Sequence, residues 1–357
     1  MLQIMQQNIV YCATSYIIYP INMTMTQRQT LIYNYIIAQW SCKMSELVDH
    51  FEIERTTIYR DLRSLIKQWY IVSPSKWVYK IKIRAQDYLK LPTRERTKLW
   101  YDYDFLASYI PNQTSFFTAQ QLKQLEQYSN NIALDTNFYK TNKRLLEIIM
   151  IDLSFSSSSL EGNTYSQLDT EVLIKYKEIA QDKSKEETTM ILNHKQCIEY
   201  MIWYKNEIWY NKQTFYEIHQ LLGKDLLPDS QIGIIRSQSV EIWWSVYSPL
   251  DNPHTLMSEF ELFLTKLNQI INPFEQSIFI MIFIPYFQLF MDINKRTSRM
   301  SCNLPLLKHN LPLISLLAIS PRDYITAILA VYELQDTSLL AQLYTDNYLL
   351  NAHRYQS

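Results

Sequence analysis

The chain has 357 residues, of which 47% are hydrophobic and 14% aromatic, and its formal net charge at pH 7 is −1. This length suffices for two or three domains, and the near-neutral charge argues against a protein that coats nucleic acid along its whole length. The charge is uneven, however: residues 26–83 carry nine Lys or Arg and five Asp or Glu, a sum of +4, whereas residues 84–357 sum to −5. A basic N-terminal module on an acidic body indicates nucleic acid at one end only.

Glycine is scarce, with only Gly162, Gly223 and Gly233 in the chain, where average usage of roughly 7% would give about 25. Neither G-x-G-x-x-G nor a Walker A loop can be built from three scattered glycines. Rossmann dehydrogenases, P-loop NTPases and protein kinases are therefore disfavoured. The four cysteines are far apart and form no C-x-x-C pair, so neither a disulfide framework nor a zinc site is indicated, and a cytoplasmic location is expected.

No membrane partner is expected. Residues 1–25 form an N-terminal extension without a charged side chain, which makes a poor signal peptide and leaves open whether the segment belongs to the protein. The apolar run at 277–290 has 14 residues, too few to span a bilayer, and predicts a buried core helix.

Residues 26–83 form the first predicted domain. Residues 27–39 and 54–69 each place apolar side chains on one helical face, a shorter segment at 44–51 lies between them, and two β-like runs at 70–83 predict a hairpin. Three helices followed by a hairpin resemble a winged helix-turn-helix. The stretch RTTIYRDLRSL resembles the recognition helix of DeoR-like bacterial regulators, whose N-terminus meets base edges in the major groove.

This resemblance implies binding of double-stranded DNA through residues 54–67, with Arg55, Thr57 and Arg60 as the contacting side chains. The alternative is a trihelical module that contacts proteins and no DNA, because +4 is a modest charge for a groove binder.

The rest of the chain is predicted to be helical, with a helical region at 84–150 and a core domain at 151–357. Apolar residues recur at 3- and 4-residue steps nearly throughout 140–350. The exception is QSVEIWWSVYS at 238–248, whose β-branched and aromatic residues predict a β-hairpin. The expected fold class is therefore mainly α.

The candidate site is the stretch DINKRTSR, residues 292–299. Arg296 and Arg299 share a face of a helix because they are three residues apart. Asp292 and Asn294 lie at the start of that helix, where free backbone N–H groups attract anions. A carboxylate beside phosphates is a typical Mg²⁺ ligand, and arginines clamp phosphates bidentately. The alternative is an N-capped surface helix with solvated arginines.

The same stretch resembles the signature of the Fic (Fido) family, H-x-F-x-[DE]-G-N-G-R-x-x-R. The matching positions are Phe290, Asp292, Asn294, Arg296 and Arg299. Upstream, SSSSLEGN at 156–163 is similar to the family's inhibitory motif [ST]-x-x-x-E-[GN], and GIIRSQSVEIWWSVYSP at 233–249 is similar to the segment that leads into its target-binding hairpin, the flap. The three matches occur in the family's order.

The resemblance implies an all-helical core that binds ATP with Mg²⁺ and transfers AMP to a protein hydroxyl. Asp292 would hold the metal, and Asn294, Lys295, Arg296 and Arg299 would bind the nucleotide. The inhibitory motif would be Ser157, Glu161 and Gly162, with Glu161 paired to Arg299 so that it displaces the γ-phosphate. The flap near 239–246 would align a segment of an unknown target protein by strand addition.

Three positions depart from the signature. Gln288 replaces the histidine that takes the proton from the target hydroxyl, and Ile293 and Lys295 replace the two glycines. Lys295 keeps a positive charge near phosphate, whereas Ile293 constrains the loop because only glycine is free at positive φ. None of the six histidines falls in the motif, and only His194 and His309 lie near family-like segments.

Three functions remain open at this point. The first is an ATP-binding, Fic-type adenylyltransferase whose catalysis is reduced or lost at Gln288. The second is a DNA-binding regulator whose Fic domain only senses nucleotide. The third is an interaction scaffold that binds neither. The target protein, the transferred moiety and the oligomeric state are not encoded in any motif of the chain.

Overall fold

The structure is a computed structural model that describes residues 25–39, 41–67, 71–75, 77–81, 88–96, 98–130, 132, 134, 137–352 and 355. All but the last residue of the expected N-terminal extension lies outside the described residues. The chain divides into two compact units, one ending at Ile83 and one beginning at Arg84.

The first unit packs three helices with a small sheet. Its elements in chain order are α1 Gln27–Gln39, β1 Ser41–Lys43, α2 Met44–Phe51, α3 Arg55–Lys67, β2 Ile71–Ser75 and β3 Val78–Ile81. The strands are antiparallel in the order β1-β3-β2. Ile32, Leu47, Ile58 and Leu62 are fully buried between the helices. The three helices and the hairpin are present as expected, and β1 adds a strand that was not predicted.

The second unit is almost entirely helical, as the periodicity predicts. After the two-residue strand β4 (Leu99–Trp100), its helices are α4 Tyr103–Ala107, α5 Ala119–Asn130, α6 Phe138–Thr141, α7 Lys143–Ser159, α8 Gln167–Tyr176, α9 Lys185–Trp203 and α10 Lys212–Gly223. Strand β5 (Tyr247–Ser248) is followed by α11 Pro253–Gln269, α12 Pro273–Phe287, α13 Asn294–Ser301, α14 Asn303–Lys308, α15 Pro321–Leu334 and α16 Ser338–Ala352. Short 3₁₀ turns occur at Thr93–Glu95 and Asp229–Gln231.

Helix α12 is the centre of this unit. Every residue of the helix after Pro273 is buried, which confirms the core helix predicted from the apolar run. A helix that is apolar all round must be covered on all sides, and α11, α13, α14 and α15 pack against it. The rigid end of α12 therefore fixes the position of the turn that leads into α13. No described helix is both long enough and apolar enough to cross a membrane.

The predicted β-hairpin at 238–248 is wrong. Residues 239–246 form an irregular loop. The strand that follows it, β5, does not pair with a strand from this segment but lies parallel to β4. The aromatic residues that suggested a strand are instead exposed: Trp243 exposes 90% of its surface and Trp244 52%. Aromatic enrichment indicates strands because aromatic side chains pack on a half-buried pleated surface, whereas here the same residues belong to a loop that is not paired into a sheet.

Candidate functional site

A cavity of about 220 Å³ lies between the 239–246 loop and the start of α13. Its floor is polar, and the residues of the floor are Glu161, Gln288, Asp292, Asn294, Lys295 and Arg296. Its walls are largely apolar, formed by Val240, Ile242, Trp243, Trp244, Ile325, Ile328, Leu329 and Tyr332, with Glu241 at the rim. The structure therefore brings Asp292, Asn294, Lys295 and Arg296 together on one side of one cavity, whereas the predicted nucleotide-binding residue Arg299 is not part of the cavity lining.

The floor begins where α12 ends. Gln288 and Ile293 both adopt left-handed backbone conformations, with φ of 50° and 64°, and α13 starts directly after Ile293. The Asn294 side chain closes the turn between them: its Oδ1 accepts from the N–H of Phe290 at 2.9 Å and its Nδ2 donates to the carbonyl of Phe290 at 2.8 Å. The turn thereby presents the first N–H groups of α13, which have no partners within the helix.

Gln288 is held by protein groups on both sides of its amide. Its Nε2 donates to the carbonyl of Pro285 at 2.7 Å and to the hydroxyl of Tyr332 at 3.1 Å. Its Oε1 accepts from Nδ2 of Asn294 at 3.1 Å. The residue at the histidine position thus connects the end of α12 to α13 and α15, and it offers no group that titrates near neutral pH.

Arg299 lies outside the cavity lining, next to Glu161 of the floor. Its guanidinium is 2% exposed, donating to Oγ and the backbone carbonyl of Ser157 at 3.0 Å each and to the hydroxyl of Tyr324 at 3.2 Å. Glu161 completes the ring, 2.7 Å from Arg299 and 3.1 Å from the Nζ of Lys295. The expected ion pair is present, and a second cation reinforces it.

This surrounding charge governs the ionisation of Glu161. Burial acts to raise the pKa of the carboxyl, but Arg299, Lys295 and Arg296 outweigh it and lower the pKa of Glu161 to about 2. The carboxylate is therefore charged at any physiological pH. Gly162 follows with φ of +86°, a left-handed conformation that ends α7 cheaply only with glycine.

Arg296 lies on the open side of the floor. Its residue surface is only 8% exposed, yet Nε and Nη1 have no hydrogen-bond partner. Its nearest acid is Asp292, 4.0 Å from Nη2, whose side chain remains 69% exposed. Buried guanidinium nitrogens without acceptors are costly, so this position fits an anion. The exposed carboxylate of Asp292 beside it fits a cation bound to that anion.

His219 is a site residue that sequence reasoning missed. It is fully buried beneath the loop, where Nδ1 accepts from the N–H of Gly233 at 2.9 Å and Nε2 donates to the backbone carbonyl of Asp292 at 3.2 Å. Its ring stacks on Phe290 with centroids 3.8 Å apart. Burial lowers the pKa of His219 to about 4, so the ring is neutral. The residue lies 69 positions before the signature, and no local spacing reveals it.

The other two histidines near the motif segments are not bases in the cavity. His194 is fully buried, its Nδ1 lies 2.7 Å from the carbonyl of Met190, and burial lowers its pKa to about 3. His309 follows α14 and is absent from the cavity lining.

The three residues predicted to contact DNA belong to the other unit and lie on α3. Arg55 and Arg60 are exposed, and Thr57 is half-buried. The guanidinium of Arg55 lies over the ring of Trp77, 4.4 Å from its centroid, which orders this arginine at the start of the helix.

Comparison with known proteins agrees with this geometry. Residues 209–306 match the model of the Fic/DOC family. No curated protein sequence matches the chain. Among solved structures, Fic-1 from C. elegans superposes with a TM-score of 0.54 at 17% identity, covering 66% of this chain and 71% of the other.

Two bacterial structures are similar to the same extent. A Fic domain containing signaling protein from Bacteroides thetaiotaomicron gives a TM-score of 0.53 at 16% identity, covering 66% of this chain and 96% of the other. A Fic family protein from Desulfovibrio desulfuricans gives a TM-score of 0.56 at 16% identity, and the superposition covers 69% of this chain and 76% of the other. At these identities the likeness shows the fold: the chain has an all-helical core like that of these Fic proteins, and within it residues 209–306 match the Fic/DOC family model.

Proposed function

We propose that the Fic/DOC domain binds Mg·ATP, that it is by descent a protein adenylyltransferase, and that its catalysis is reduced or lost because Gln288 stands at the base position. The observation that supports this most strongly is Arg296, a buried arginine on the cavity floor with two unpartnered nitrogens. Because Arg296 lines the cavity, an anion with several oxygens bound there would give this guanidinium the acceptor that it lacks.

Each part of a nucleotide has matching residues. Lys295, Arg296 and, once Glu161 is displaced, Arg299 would bind phosphate oxygens, together with Asn294 and the backbone N–H groups at the start of α13. The apolar walls suit the flat faces of a base. Among the described residues no three His, Cys, Asp or Glu side chains converge, so a metal here would be held by Asp292 and by phosphate oxygens, as Mg²⁺ commonly is.

Transfer of AMP would join the target oxygen to the α-phosphorus and release pyrophosphate, and the hydroxyl proton must go to a base. Bound Mg²⁺ would neutralise phosphate charge. The neutral amide of Gln288 cannot take the proton, and its hydrogen bonds to Tyr332 and Asn294 are structural. Because a positioned base contributes typically 10²–10⁴ in rate, we expect binding to outlast catalysis in this chain.

Glu161 would inhibit the domain by occupying Arg299. Each nitrogen of this guanidinium already has a partner, in Ser157, Tyr324 or Glu161, and a γ-phosphate would take the place of Glu161. The 239–246 loop would contact the target protein. It borders the cavity and presents Trp243 and Trp244 to solvent, although it is a loop rather than the hairpin expected of a flap.

Calorimetric titration of the full chain with ATP, with and without Mg²⁺, tests the proposal. We expect saturable binding that tightens with Mg²⁺, weak in the parent and stronger in Glu161→Gly. Absence of binding in both proteins would contradict a nucleotide site.

A second candidate function is a DNA-binding regulator in which the Fic/DOC domain senses nucleotide. The observation that favours it is the first unit, whose helix order and hairpin match a winged helix-turn-helix, with Arg55, Arg60 and Arg63 exposed on α3. A salt-dependent mobility shift of double-stranded DNA by the full chain would support it. Absence of a shift at low salt would exclude it.

A further inference from the structure

The turn that forms the cavity floor contains a strained residue. Ile293 has φ of 64°, and a left-handed conformation is a genuine outlier for a β-branched side chain. Such a conformation persists only where the surroundings over-determine it. Ile293 is also 98% buried. Its side chain packs against Gly223 at the end of α10: a Cβ added to Gly223 would lie 3.4 Å from Cδ1 of Ile293.

A set of contacts from outside the turn holds its backbone. Arg236 donates from its backbone N–H to the carbonyl of Leu289 at 3.0 Å and from Nε to the carbonyl of Gln288 at 2.6 Å. At the other end of the turn, His219 donates to the carbonyl of Asp292. Three backbone carbonyls of the turn, those of Gln288, Leu289 and Asp292, are therefore held by two side chains and one backbone N–H that lie outside the signature.

These two residues are themselves firmly placed. Arg236 is 3% exposed and also donates to the carbonyls of Gln238 and Leu250, which lie at the two ends of the cavity loop. His219 accepts from Gly233, whose φ is +65° and where a Cβ would come within 3.1 Å of the carbonyl oxygen of Tyr216. Neither residue lines the cavity, so each can act on a ligand only through the backbone that it holds.

We propose that His219 and Arg236 are positioning residues: they hold residues 288–293 in the anion-binding conformation against the left-handed strain at Ile293. The inference rests on the proposed function for its ligand, Mg·ATP, whereas the strain and its support belong to the fold alone. A glycine at 293 would adopt the same conformation freely, so the need for His219 and Arg236 should depend on the residue at 293.

The strain is tested by comparing Ile293→Gly with Ile293→Ala, since both remove the same packing against Gly223. Glycine normally destabilises a chain relative to alanine through backbone entropy. Here we expect the order to invert, with the glycine variant melting roughly 2–4 °C higher. An alanine variant that melts at the same or a higher temperature would overturn the claim of strain.

Positioning is tested with His219→Phe, which keeps a ring beside Phe290 but removes both hydrogen bonds. The substitution is added to the Ile293→Ala and Ile293→Gly variants, each of which also carries Glu161→Gly. We expect Mg·ATP affinity to fall roughly tenfold with alanine at 293 and less than threefold with glycine, a coupling of the kind that double-mutant cycles resolve. Equal losses in the two backgrounds would overturn the proposal. Tyr139→Phe, which removes a buried hydrogen bond to the carbonyl of Leu311, is the control and should act equally in both.

The melting temperatures of the same variants can be compared without ligand. His219→Phe should again lower the melting temperature more when residue 293 is alanine than when it is glycine. If no variant binds Mg·ATP while this thermal coupling is present, the proposed function fails and the role of His219 in holding the turn stands. If the thermal losses are equal, the positioning role fails whatever the ligand.

Discussion

Two arginines of one short helix, Arg296 and Arg299, are both buried but differ in their partners. Arg296 lines the cavity, whereas Arg299 lies outside the cavity lining, and each of its guanidinium nitrogens has a protein partner among Ser157, Tyr324 and Glu161. Arg296 is nearly as buried but has two nitrogens without any. This difference is the basis for the proposal that Arg296 binds an anion while the carboxylate of Glu161 occupies Arg299.

The largest effect is expected from restoring a base beside this floor. In a Glu161→Gly protein, Gln288→His should increase AMP incorporation from labelled ATP by about 10²–10⁴, because the imidazole can accept the hydroxyl proton. Gln288→Ala in the same background is the control and should stay at the parent level. If the parent already labels itself or a target at an ordinary enzymatic rate, a lost base is the wrong explanation.

The next effect sharpens the contrast between the two arginines. Glu161→Gly should strengthen ATP binding by about tenfold or more, roughly 1.4 kcal/mol, because Arg299 and Lys295 lose the carboxylate that occupies them. Glu241→Gly removes the same charge from the cavity rim without touching Arg299, and calorimetry should show a much smaller change. Equal gains in the two variants would point to general charge repulsion instead of a specific ion pair.

A smaller effect is expected in the first unit, where Arg55, Arg60 and Arg63 lie exposed on α3. If α3 contacts DNA, Arg60→Ala should weaken binding a few-fold and lower the salt slope by roughly one. Arg94→Ala removes an equally exposed charge from the second unit and should leave both quantities unchanged in a fluorescence titration. Matching losses from the two variants would mean that the contact is non-specific.

The smallest effect concerns pH. Because the folded pKa of Glu161, about 2, is below its ordinary value, the stability from its ion pairs is present above pH 4.5 and is lost only as pH falls towards 2. Acidification from pH 7 to 5 should therefore change the ATP affinity of the parent and that of Glu161→Gly by nearly the same factor, with a difference of less than twofold. If calorimetry at pH 5 showed an increase in ATP affinity for the parent but not for Glu161→Gly, the carboxyl of Glu161 would have to take up a proton at a higher pH than this account predicts.

The sequence predicts the parts of this site that have local spacing and misses the parts that depend on packing. The core helix follows from the apolar run at 277–290, and the Glu161–Arg299 pair from the resemblance to the Fic signature and its inhibitory motif. Glu161 itself lies in the turn after α7, which ends at Ser159. The loop at 239–246 was wrongly predicted as a hairpin, because exposed and half-buried aromatics look alike in sequence. His219 could not be foreseen, since its contact with the turn is made only by the tertiary fold.

The most direct test of the account is calorimetric titration of the Glu161→Gly protein with ATP and Mg²⁺, beside the same protein carrying Arg296→Met. The open side of the floor should bind Mg·ATP in the first protein and lose most of that affinity in the second, because methionine fills the space without offering a donor to phosphate. Undiminished binding after Arg296→Met, or none in either protein, would contradict the claim that the unpartnered arginine marks an anion site.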